Sequence, residues 1–68
     1  MASAAYYDRT MSKALTKQLL NSIGAKSKPA RSTASATVYG IDGGGEAMVE
    51  KKSPTEYRTR LYKGKCPC

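Results

Sequence analysis

The chain contains no histidine, no tryptophan and no phenylalanine. Histidine is the commonest side chain for acid–base work near neutral pH and a common metal ligand. The carboxylates, Asp8, Asp42, Glu46, Glu50 and Glu56, are scattered singly along the sequence. Catalysis by proton transfer needs paired titratable groups in a water-poor cavity. The inventory therefore predicts a non-catalytic protein with no cofactor and no small-molecule substrate. Cysteine is equally sparse. Cys66 and Cys68 are one residue apart, so no disulfide between them ties distant parts of the chain. A tetrahedral metal site would need four ligands, and none is expected here.

No segment approaches the roughly 20 apolar residues of a membrane-spanning helix. The opening "MASAAYYDRT" lacks the apolar run of a secretory signal and the Arg-rich, acid-free character of a transit peptide. A membrane partner is not expected, and reduced thiols point to a cytoplasmic location. Large core-formers are few: Leu15, Leu19, Leu20, Leu61, Ile23, Ile41, Val38, Val49 and three methionines. Set against an ordering cost of about 1.5 kcal/mol per residue, they predict a mostly irregular, extended chain. Such a chain has no independent hydrophobic core and is ordered by its partner.

What is present divides into segments. Residues 1–24 read as an amphipathic helix segment, with the helix over about 5–23. Tyr7, Met11, Leu15, Leu19 and Ile23 recur every four residues as an apolar stripe, with Arg9, Lys13 and Lys17 on roughly the opposite face. Ser3 or Asp8 could cap the start, and Gly24 suits the end. Residues 25–36 form a basic Ser/Ala/Pro linker. Residues 37–52 read as a short hairpin (Thr37 to Ile41, a glycine turn, then Glu46 to Glu50) or as an extended acidic segment. The glycines in "YGIDGGGEA" do not match a phosphate-binding spacing, and Glu46 would repel phosphate. Residues 53–68 form a basic tail with Pro54 near its start. In an extended tail, Tyr57, Thr59, Leu61 and Lys63 alternate with Arg58, Arg60 and Tyr62.

The net charge of +7 is uneven, with two basic regions flanking the acidic stretch at residues 34–50. That balance favours an acidic partner. The residues expected to bind it are Tyr7, Met11, Leu15, Leu19 and Ile23 on the helix, with Tyr57, Arg58, Arg60, Leu61 and Tyr62 in the tail. Tyr and Arg are the usual anchors of protein interfaces. They also stack on bases, so RNA binding in a ribonucleoprotein is the competing expectation.

The Tyr-punctuated basic segments "SATVYG" and "SPTEYRTRLYKG" resemble in style the small microtubule inner proteins of ciliary doublets. That resemblance implies a structural assembly protein strapped across the acidic tubulin lattice of an axoneme, in the cytoskeleton of a cilium. Phycobilisome linker polypeptides are similar in size and basic character and form a further alternative. The terminal Cys66-Pro67-Cys68, after Lys63 and Lys65, resembles the lipid-modified end of Rab GTPases over those three residues. Reduced thiols docked on a partner remain the expectation there.

Overall fold

A computed structural model describes residues 5–64. In it Ser12, not Ser3 or Asp8, begins the helix. Its hydroxyl accepts a hydrogen bond from the Leu15 backbone N–H at 3.3 Å, and its carbonyl accepts from the Thr16 hydroxyl at 2.8 Å. The resulting helix α1 spans Lys13–Ser22. Gly24 follows it at φ 76°, a left-handed conformation that glycine adopts without steric cost. The Gly24 carbonyl then accepts from the Asp42 backbone N–H at 2.9 Å, which pins the end of the helix to a distant turn. Ser3 lies outside the described residues.

Upstream of Ser12 the chain is not helical. Tyr7–Met11 forms strand β1, whose Tyr and Thr content suits a pleated surface. The four-residue recurrence of Tyr7 and Met11 with Leu15 therefore spans two different elements. Four further strands follow the helix: β2 (Ala25–Ser32), β3 (Ala36–Ile41), β4 (Glu46–Lys51) and β5 (Tyr57–Tyr62). They join β1 in one antiparallel sheet of order β1-β5-β4-β3-β2. The segment with linker composition is β2, an outer strand exposed along nearly its whole length. An edge strand needs little apolar content, and Pro29 sits at a register irregularity, where its missing N–H is tolerated. The glycine hairpin forms as β3–β4, but inside a larger sheet. The residues expected to make a free tail form β5, held between β1 and β4.

The expectation of a mostly irregular chain with an N-terminal helix and no core is thus corrected. Of the described residues, 52% are in strands and 17% in the helix. The radius of gyration is 10.9 Å, against about 25 Å for an unfolded chain of this length. The physical reason is that a count of Leu, Ile, Val and Met overlooks tyrosine and small residues. Tyr62 is 4% exposed, and Ala47 and Thr59 are fully buried. Small side chains at the centre of the sheet let α1 approach closely, with its own buried residue, Thr16, facing inward.

Cross-strand register sorts the side chains onto two faces. Ala47 and Leu61 lie beside Tyr39 and Tyr7, and Val49 beside Thr59, on the face that carries α1. Val38, Met48 and Tyr62 form a buried cluster on the other face, with Ala5 and Ala36 packed against it. Closure of the β3–β4 turn depends on Gly45, whose φ is 95° and where an added Cβ would stand 2.5 Å from the Tyr62 carbonyl oxygen. Gly45→Ala is expected to cost more than the roughly 1–2 kcal/mol of a left-handed residue alone. Gly43→Ala, at a position with open space around it, incurs only the backbone cost. Urea midpoints of the two variants measure the difference. Equal midpoints would show that the Tyr62 strand does not press on this turn.

Candidate binding groove

The face opposite α1 concentrates the acids. Arg31 on β2 donates both guanidinium nitrogens to Glu46 on β4, at 2.9 and 3.1 Å. Arg58 on β5 donates from Nε and Nη2 to the two Asp8 oxygens on β1, at 2.8 and 2.6 Å. Arg60 on β5 pairs with Glu50 on β4, and Lys52 approaches the same carboxylate at 3.7 Å. These paired geometries give orientation as well as attraction. The hydrogen bond from Arg58 holds the Asp8 carboxyl below its ordinary range, and the Asp8 hydrogen bond raises the guanidinium in turn. Met48 and Arg60 are cross-strand neighbours on this face, as are Val38 and Arg31. The long arginine stems are thus placed to shield the apolar cluster.

The helix-bearing face has the opposite character. Between α1 and the sheet lies a cleft of about 290 Å³ lined by Lys13, Lys17, Leu20, Tyr39, Val49 and Tyr57, with Thr16. Two hollows of about 270 and 280 Å³ adjoin it. One runs toward the β2–β3 turn and adds Lys51, and the other passes the end of α1 and adds Lys26. Tyr39 walls all three, and Tyr57 and Val49 are shared by two. Among the described residues no carboxylate lines any of them. Glu46 and Glu50 lie on the other face, Asp42 packs beside Gly24 past the end of α1, and Glu56 precedes Tyr57 without lining the cleft. The charges on the walls themselves are therefore lysines. Both tyrosines are half-buried, and Lys13, Lys17, Lys26 and Lys51 are exposed.

The residues expected from the sequence to bind a partner are placed as follows. Leu61 and Tyr62 are buried at 4% exposure and belong to the interior of the fold. Arg58 and Arg60 are engaged with Asp8 and Glu50. Tyr7 pairs with Leu61 in the β1–β5 register, and Met11 with Tyr57. Met11, Leu15 and Leu19 still come together, lining an open hollow of about 570 Å³ between α1 and β1 with Arg9 and Gln18. Ile23 is half-buried at the end of the helix. Tyr57 alone reaches the basic cleft. Sequence reasoning missed Tyr39, Val49, Lys26 and Lys51 as members of one site. The available signal was the alternation of Thr37, Tyr39 and Ile41 in β3, which places Tyr39 on the face opposite Val38. Cys66 and Cys68 lie outside the described residues.

Among the described residues no helix is long and apolar enough to cross a membrane. The chain matches no family model, no curated protein and no solved structure.

Proposed function

We propose that this protein is a non-catalytic binding module that holds an anionic partner in the cleft between α1 and the sheet. The observation that supports it is the sorting of charge by face. Asp8, Glu46 and Glu50 are neutralised by arginines on one side, while Lys13, Lys17, Lys26 and Lys51 line a carboxylate-free cleft on the other. An electropositive concavity with low-dielectric walls concentrates anions and accelerates their association. The half-buried Tyr39 and Tyr57 add rigid contact surface at small entropic cost.

The partner-ordered strap of a microtubule inner protein required an extended chain. With the tail folded into the sheet, the docking residues move from Arg58 and Arg60 to the lysines of the cleft. Non-catalytic docking to an acidic partner carries over from that reading.

Binding to immobilised heparin, a generic polyanion, tests the proposal. Retention at about 50 mM salt that falls at least tenfold by about 200 mM is the expected result. Absence of retention at low salt, or retention indifferent to salt, would overturn it.

A further inference from the structure

We propose that the occupant of the cleft is a single-stranded nucleic acid, with its phosphates on the lysines and its bases against Tyr39 and Tyr57. This rests on the anion-binding reading above and identifies its partner. Three features of the site favour this occupant.

The first is which cations are available. Arg31, Arg58 and Arg60 are committed to carboxylates of the chain itself, Arg9 lines the separate hollow between α1 and β1, and every cation lining the cleft is a lysine. The guanidinium fork matches the planar geometry of a carboxylate, as an acidic protein surface would present it. An ammonium group is a point charge on a flexible stem and suits a backbone of phosphates read without fixed orientation.

The second is the placing of the aromatic rings. Tyr39 pairs with Ala47 and Tyr57 with Lys51, so the two lie on strands flanking β4 and are offset along it. Strand geometry puts their Cα atoms about 10 Å apart across the sheet and about 13 Å along it. Val49 lies between them on β4, on the same face. The rings therefore mark two separate positions on one path, as stacking platforms do along a strand.

The third is accessibility. The rings are half-buried in hollows of about 270 to 290 Å³. A duplex keeps its bases stacked inside and presents only backbone and groove edges, so it cannot reach recessed rings. A single strand splays its bases and can.

The test is fluorescence anisotropy with labelled mixed-sequence 10-nucleotide strands of RNA and DNA, a hairpin duplex of equal length, and poly-glutamate. The single strands should bind at least tenfold tighter than the duplex or poly-glutamate, with a log–log salt slope of about −3 for four phosphate contacts. Tyr39→Leu and Tyr57→Leu should each lose about tenfold, and the Phe variants should retain binding, because stacking needs the ring. Thermal melts of the four variants separate loss of binding from loss of fold. If both Leu variants are as stable as wild type and bind single strands equally well, the inference is wrong. If poly-glutamate also binds as tightly as the strands, the inference fails while the anion-binding reading stands. Binding to none of the polyanions would remove both.

Discussion

Leu61→Ala should leave most of the chain unfolded at room temperature. Leu61 is 4% exposed on β5, the strand bonded to both β1 and β4. Its side chain sits on the helix-bearing face beside Ala47 and Tyr7. Deleting a buried leucine costs roughly 2–5 kcal/mol, and a scaffold of this size rarely holds more than about 3–5 kcal/mol in total. Ala47 and Thr59 are too small to collapse into the space, so the upper half of that range applies. Leu15→Ala is the matched control. Leu15 is 53% exposed, and its truncation should fall within about 0.5 kcal/mol of wild type. Urea unfolding followed by circular dichroism reads both. A wild-type midpoint for Leu61→Ala would mean that β5 is not central to the folded chain.

Reversing Lys17, Lys26 and Lys51 to glutamate together should abolish polyanion binding while the fold survives. All three are exposed, and none has an ion-pair partner among the described residues, so the substitutions break no ion pair. They sit at the middle and both ends of the cleft. A bound strand would therefore meet repulsion along its whole path. Each lost phosphate contact should reduce the salt slope by about 0.7 for a single strand, and the reversed charges add repulsion. The loss at about 50 mM salt should exceed a hundredfold. Arg58→Glu with Arg60→Glu also reverses charge but does something different. It sets like charges against Asp8 and Glu50 on the opposite face of the sheet and breaks the two ion pairs there, so stability falls first. A triple-lysine variant that binds heparin at wild-type strength would place the anion site elsewhere.

These two comparisons separate what local sequence encodes from what distant pairing decides. The β3–β4 hairpin is legible because its determinants are adjacent. Three consecutive glycines at positive φ turn the chain between two runs rich in β-formers. The end of α1 at Gly24 is legible for the same reason, as is the partition of net charge that pointed to an anionic partner.

Tertiary structure decided the rest. Tyr7–Met11 continues an apolar period of four and reads as helix from its local pattern alone. It is a strand because β5, some 50 residues later, offers an antiparallel edge, a partnership that Arg58 and Asp8 join with two hydrogen bonds. β2 has a linker's composition and is ordered by hydrogen bonding to β3, since a backbone ladder does not depend on side-chain hydrophobicity. Tyr57, Arg58, Arg60, Leu61 and Tyr62 looked equivalent as docking residues. Pleat and burial divided them into one cleft wall, two internal ion pairs and two interior side chains. The cleft itself was hidden from the sequence because Lys17, Tyr39, Lys51 and Tyr57 come from α1, β3, β4 and β5, which only the sheet brings to one face.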